Sequence, residues 1–190
     1  MLEQLNALGL VNLKGYYLRN HKELIKDIEK AKHNNEKILL WGVTFGLLDF
    51  VENNKIDLKN HIVLETGGMK GRRKELTRSE VHSILEKSFN VPKVYSEYGM
   101  TELLSQSYSA GDGLFKMNEN FGVLVRDVYD PLAILPVTKS GVLNIIDLNN
   151  THSCSFIATQ DLGRVYANGV FEVLGRTDSS DVRGCNLMAV

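Results

Sequence analysis

Four short stretches of this chain combine residue types that can do chemistry. Tyr98-Gly99-Met100-Thr101-Glu102 brings a ring, a glycine, a hydroxyl and a carboxylate within five residues. A hydroxyl can donate to a phosphate oxygen, and a carboxylate beside it can hold Mg²⁺, which prefers oxygen ligands and keeps most of its waters. The same pair would equally serve a helix start, with Thr101 as the cap and Glu102 favouring the first turn. Glu65-Thr66-Gly67-Gly68 runs into Lys70, Arg72 and Arg73. Bare glycine backbone admits a flat or anionic group, and the cations would attract one. A plain strand-to-helix turn also needs such glycines, and the spacing GxxxxGK[ST] of a phosphate-cradling loop is not met. Thr159-Gln160-Asp161-Leu162-Gly163 sets a lone carboxylate at a strand end, where it could accept two hydrogen bonds from a ribose diol or simply turn an Asp-x-Gly hairpin. Further on, Gly175 to Gly184 packs Arg176, Asp178, Asp181 and Arg183 into ten residues.

The elements that must position these groups follow from periodicity. Leu24, Ile25, Ile28 and Ala31 fall at helical spacing within residues 19–34, and the apolar run at 37–43 reads as a buried strand. Thr44 can cap a helix reaching about Asn53. His61–Glu65 reads as a second strand, with Thr66-Gly67-Gly68 as the turn after it. Thr77 with Glu80 makes a capping box, Val81, Ile84 and Leu85 stripe the helix it opens, and Pro92 stops it. A third strand runs into Gly99. Strands separated by helices pair in parallel, because the crossover must return the chain to the same edge. After about Leu104 the pattern changes to short runs such as GVLVRDVY, GVLNIIDL, CSFIAT and GVFEVLGR, punctuated by Gly, Asn and Asp, which predict a β meander or barrel. The expected fold is α/β, with a parallel layer over residues 1–104 and a β-rich piece over 105–190. In open parallel sheets ligands collect beyond the carboxyl ends of the strands, which is where Gly67 and Tyr98 fall.

Composition narrows the possibilities. The chain has 190 residues, 43% hydrophobic, with 22 Lys and Arg against 23 Asp and Glu. No uncharged run approaches the roughly 20 apolar residues of a membrane span. The amino terminus lacks the basic flank and cleavage site of a secretory signal, so a cytoplasmic location is expected. Cys154 and Cys185 have no CxxC spacing and read as free thiols. No basic stripe with interleaved aromatics is present, so nucleic acid is not an expected partner. The near balance hides an asymmetry. Residues 1–78 hold 14 basic and 10 acidic side chains, and five of those cations, Lys70, Arg72, Arg73, Lys74 and Arg78, lie within nine residues. Such a patch suits an anionic ligand or is a solvated charge run.

In their order, YGMTE, TQDLG and GRTDSSDVRG resemble the Tyr-Gly-x-Thr-Glu, Thr-Gly-Asp-Leu-Gly and Gly-Arg-x-Asp motifs of the adenylate-forming superfamily of acyl-CoA synthetases, luciferases and adenylation domains. Within it, ETGGMKGRRKE, SEYGMTEL and the terminal GRTDSSDVRGCNLM most resemble the LuxE-like acyl-protein synthetases. The resemblance covers roughly residues 36–190 and implies a partial adenylate-forming large domain. It implies that Gly67, Gly68 and the Tyr98 ring flank adenine beside Gly99, that Thr101 bonds the α-phosphate, and that Glu102 binds Mg²⁺. It further implies that Asp161 holds the ribose hydroxyls with Arg176 nearby, and that Asp178 marks a hinge.

The activity so implied is ATP-dependent activation of a carboxylic acid, fatty or similar, as acyl-adenylate, followed by transfer to a thiol. The acceptor would be a thiol or a reductase partner, and Cys185, five residues from the carboxyl terminus, matches the cysteine that carries the acyl group in LuxE-like proteins. A small buried Cys is the alternative. The Ser/Thr/Gly-rich phosphate loop of the superfamily has no counterpart in these 190 residues, and Gln160 stands where Gly is usual. A carboxyl-terminal part of a longer synthetase, working with a complementary amino-terminal half, is therefore expected. A non-catalytic nucleotide-binding or subunit-interaction module is the other reading.

Overall fold

The computed structural model describes residues 6–9, 11–12, 15–68 and 76–177. The chain divides into two compact units, one ending at Ile38 and one beginning at Leu39. In the first, helix α1 (His21–His33) starts at Asn20, whose side chain accepts from the Glu23 amide, and it carries Lys30, Lys32 and His33 in its last turn, where cations suit the helix dipole. The Tyr17 hydroxyl donates to Asp27 at 2.8 Å. Burial and that carboxylate push the phenol up to about 12.

In the second unit, β1 (Leu39–Val43), β2 (Ile62–Thr66) and β3 (Tyr95–Tyr98) pair in parallel, as the intervening helices require. Helix α2 (Thr44–Asn53) follows β1 and α3 (Arg78–Phe89) follows β2. The expected capping box forms at Thr77 and Glu80. The expected cap at Thr44 does not, because Val43 holds the cap position and Thr44, already helical, turns its hydroxyl into the core. Helix α3 ends at Phe89, three residues before Pro92, with Asn90 in the left-handed region (φ 55°) as its cap. A short strand β4 (Ser107–Tyr108) then closes this sheet antiparallel to β3, giving the order β1-β2-β3-β4.

The rest of the unit is antiparallel. Strands β5 (Leu114–Lys116), β6 (Phe121–Arg126), β7 (Ser140–Asp147), β8 (Phe156–Val165) and β9 (Val170–Arg176) form one five-stranded sheet in the order β5-β9-β8-β7-β6. Its alternating residues Phe121, Val123 and Val125 of β6, Leu143 and Ile145 of β7, and Phe171 of β9 bury one face with Phe115. The run expected to continue to Tyr129 stops at Arg126, because the Asp127 carboxylate accepts the amides of Tyr129 and Asp130 and bends the chain. Two strands cross very closely at Gly141 and Gly163, which face each other in β7 and β8. A Cβ at Gly141 would lie 2.3 Å from the Arg126 carbonyl, and one at Gly163 would lie 2.4 Å from that of Glu172. Asp161 and Gly163 therefore sit inside β8, which bulges between Leu162 and Gly163, and the hairpin turn comes later, at Tyr166–Gly169. The Asp-x-Gly hairpin is not formed.

Candidate functional site

The carboxyl ends of β2 and β3 carry two of the singled-out stretches. After β2 the chain turns at Gly67, whose φ of 77° is a conformation that side-chain-bearing residues rarely adopt. At Gly68 an added Cβ would meet nothing within 4 Å among the described residues, which leaves room there for a flat group. Lys70, Arg72, Arg73 and Lys74, the cations expected to follow, lie outside the described residues.

Behind this turn is a buried ionic cluster that sequence reasoning missed. Glu65 is 2% exposed. Its carboxylate accepts the Thr44 hydroxyl and an N–H of Arg78 at 3.0 Å, with His82 Nε2 at 3.6 Å. His82 Nε2 is also 3.0 Å from the Ser96 hydroxyl. Burial alone would raise the Glu65 pKa, but His82, Arg78, Ser96 and Thr44 together outweigh it and hold the carboxyl below its ordinary value. The Arg78 guanidinium lies 5.1 Å from the centre of the Phe115 ring, and its buried Nε has no partner among the described residues. The cluster pins β2, α2 and α3 together just before Gly67.

After β3 the chain enters an irregular loop. The helix that Thr101 could have capped does not form; residues 101 and 102 make a turn, closed by the Leu103 amide on the Met100 carbonyl at 3.1 Å. Both Thr101 and Glu102 are exposed, and their side chains make no hydrogen bond within the described residues. This donor set fits Mg²⁺ chemically: a solvent-facing carboxylate leaves room for the waters that the ion retains, with a hydroxyl beside it for a phosphate oxygen. Among the described residues no three His, Cys, Asp or Glu groups gather into an all-protein cage.

The third stretch meets the second through Tyr98. Its hydroxyl donates to Asp161 Oδ2 at 2.7 Å, across 63 residues of sequence. The ring is 7% exposed and packs against Phe115 and Phe171, with centroids at 5.8 and 5.7 Å. Burial, then the charge and hydrogen bond of Asp161, push the phenol far above its ordinary range, so it stays a donor. Asp161 pairs with Arg176 across β8 and β9, and the Arg176 Nε lies 3.9 Å from its Oδ1. Gln160, in the place where glycine is usual, accepts from Arg176 with its side chain and from the Thr177 amide with its carbonyl. Arg176 is thus the end of β9 and not part of a polar loop. Asp178 and Cys185 lie outside the described residues.

Tyr98, Asp161 and Arg176 therefore form one contiguous group, and Thr101 and Glu102 follow Tyr98 on the same loop. A groove of about 910 Å³ opens elsewhere, lined by Arg78, His82, Lys139, Arg164 and Glu172 among others; Leu162 reaches it, but Tyr98, Thr101, Glu102, Asp161 and Arg176 do not line it. Its cations face Glu86, Asp112 and Glu172, so its charge is mixed. Sequence reasoning also missed Asp147 and Asn150, whose hydrogen bonds reach the loop that carries Thr101 and Glu102. Asp147 stands at the end of GVLNIIDL, an acid closing an apolar strand, and that was the available signal.

The fold defined by these two sheets is that of adenylate-forming enzymes. It superposes on ATP-bound MatB from Rhodopseudomonas palustris with a TM-score of 0.55, at 18% identity over 73% of this chain and 30% of that one. It also superposes on o-succinylbenzoate coenzyme A synthetase (MenE) from Bacillus subtilis in complex with ATP and magnesium, with a TM-score of 0.52, at 18% identity over 80% of this chain and 34% of that one. McyG A-PCP complexed with phenylalanyl-adenylate gives 0.56, at 14% identity over 83% of this chain and 33% of that one. The chain spans about a third of the length of these structures. It belongs to the LuxE acyl-protein synthetase family, whose model matches residues 18–189. No curated protein matches it. Among the described residues no helix is long and apolar enough to cross a membrane.

Proposed function

We propose that this chain supplies the nucleotide-facing part of an ATP-dependent acyl-protein synthetase, which activates a fatty or related carboxylic acid and passes the acyl group to a thiol. The observation that carries this reading is the bond between Tyr98 and Asp161, which joins two distant motifs into one site with Arg176, beside the Thr101–Glu102 turn. In the first step a carboxylate oxygen of the acid attacks the α-phosphorus of ATP. The bond to the β-phosphate breaks, and pyrophosphate leaves with its electron pair. In the second, a thiolate attacks the acyl carbon and AMP leaves.

Each residue has a defined task in that chemistry. The open backbone at Gly67 and Gly68 admits the flat base. The Thr101 hydroxyl donates to a non-bridging oxygen of the α-phosphate, where negative charge concentrates as the phosphorus becomes five-coordinate. Glu102 would hold Mg²⁺, which when bound neutralises phosphate charge. Asp161, fixed by Tyr98 and facing Arg176, keeps lone pairs for ribose hydroxyls. Cys185 as an acyl carrier and a reductase as downstream acceptor extend the same proposal.

Carboxylate-dependent exchange of labelled pyrophosphate into ATP tests the reading directly. Exchange by the wild-type chain together with a complementary amino-terminal polypeptide, reduced about 100-fold in Thr101→Ala and in Asp161→Ala, is the expected result. Because the chain spans only a third of its structural neighbours, a second reading as a non-catalytic nucleotide-binding or subunit-interaction module has its own signature: an acyl-adenylate analogue binds, yet no exchange occurs even with that polypeptide present. If neither binding nor exchange is seen, or if both variants match wild type, the site assignment is wrong.

A further inference from the structure

The side chains of Thr101 and Glu102 are exposed and make no hydrogen bond among the described residues, so the backbone beneath them sets where they project. That backbone has almost no regular pairing of its own. It is held by residues 42 to 48 positions later, at the corner where β7 ends. Asp147, the last residue of β7, is 0% exposed. Its Oδ2 accepts the amides of Leu104 and Ser105 at 2.9 and 2.8 Å, and its Oδ1 accepts the Ser105 hydroxyl at 2.7 Å. The Asn150 carboxamide donates to the Glu102 carbonyl at 2.8 Å and to that of Cys154 at 2.9 Å. Asn149 adds a bond to the Ser105 hydroxyl at 2.9 Å.

A buried carboxylate is expensive unless it is fully hydrogen-bonded, and this one accepts most of its bonds from one loop. The bonded atoms bracket the turn on its carboxyl side: Glu102 by its carbonyl, Leu104 and Ser105 by their amides. We propose that Asp147 and Asn150 are positioning residues for this turn, fixing the peptide planes from which the Thr101 hydroxyl and the Glu102 carboxylate project. The proposal rests on the reading that the turn receives ATP and Mg²⁺. It assigns to the β7–β8 corner a function distinct from joining two strands. Asn150 acts on the Glu102 carbonyl, one peptide from the carboxylate, so its loss changes chiefly the part of nucleotide binding that depends on the metal.

The test uses the full chain, ATP with and without Mg²⁺ in titration calorimetry, hydrogen exchange of peptides covering 99–106, and melting temperature. Asn150→Ala is expected to speed exchange in 99–106 and weaken ATP binding in Mg²⁺ about tenfold, the scale seen when groups that orient metal ligands are removed. Binding without Mg²⁺ and the melting temperature stay near wild type. Asn150→Asp, of equal size but without the donor, behaves like Asn150→Ala. Asp147→Asn shows the same pattern where it folds, and the Asn150 variants carry the test where it does not. Wild-type binding in Asn150→Ala overturns the proposal and leaves the ATP reading standing. So does an equal loss with and without Mg²⁺ accompanied by a fall in melting temperature, since the corner then only holds the fold. If wild type itself binds no ATP, the nucleotide reading fails and the positioning role falls with it.

Discussion

Glu65 shows how one residue can serve both stability and site. Its native pKa lies below the ordinary 4.5, so the carboxylate contributes its full stabilisation above that pH and loses it as pH falls through the lower native value. Glu65→Gln should be less stable at pH 7 by about 3 kcal/mol, because Arg78 and His82 lose a buried acceptor. Its urea midpoint should then fall less steeply than that of wild type as the pH drops below 4.5, so that the two curves converge. Thr101 is the opposite case: it is exposed and its side chain has no partner among the described residues, so its change to Ala should leave the stability from urea unfolding within about 0.5 kcal/mol of wild type while nucleotide binding weakens. The motif residues were legible because their types announce chemistry. Glu65, Thr44 and His82 were not, since each looks ordinary in its own segment. Only the pairing of β2 with its neighbours and the packing of α3 bring the acid, the hydroxyl and the imidazole together.

At the scale of elements, local chemistry was readable and long-range geometry was not. Thr77 and Glu80 stand three apart and cap α3 as their spacing requires, so Thr77→Ala should lower stability by about 1 kcal/mol in thermal melts. The parallel order of β1, β2 and β3 followed from helices lying between strands. Asp161-Leu162-Gly163, by contrast, carries a turn signature and lies in a strand, because Gly163 is needed for room against Glu172 and Leu143 and not for a bend. Gly141→Ala should therefore destabilise by about 3 kcal/mol, the upper range for overpacking, since backbone atoms of β6 block the new methyl. A melting curve shifted by less than a degree would show that β6 can move aside. The short β4 was also missed: two residues give no periodicity, and its place beside β3 is set by Ser109, whose hydroxyl accepts the Ser96 amide and whose own amide donates to the Ser96 carbonyl.

For the molecule as a whole, the unit beginning at Leu39 joins its two sheets through Tyr98, whose backbone belongs to β3 and whose ring belongs to the aromatic core of the other sheet. The single tryptophan, Trp41, sits in β1, edge-on to Tyr108 with ring centres 6.3 Å apart. Its fluorescence should change in the same urea transition as the circular dichroism of the antiparallel sheet. Phe115→Ala, a change in the other sheet's core, should lower that midpoint by about 4 kcal/mol of stability. A Trp41 transition unmoved by Phe115→Ala would show two independently folding sheets. The corner at Asp147 adds a constraint in time. Chain synthesis delivers the 99–106 loop before the residues that hold it, by an interval on the order of seconds at usual translation rates. Until the β7–β8 hairpin closes, Leu104 and Ser105 have only water to bond, and the loop explores many shapes. The Thr101–Glu102 turn is therefore a late product of folding, assembled by contacts of long sequence separation. In a refolding experiment, ATP binding should be recovered only after the antiparallel sheet has formed.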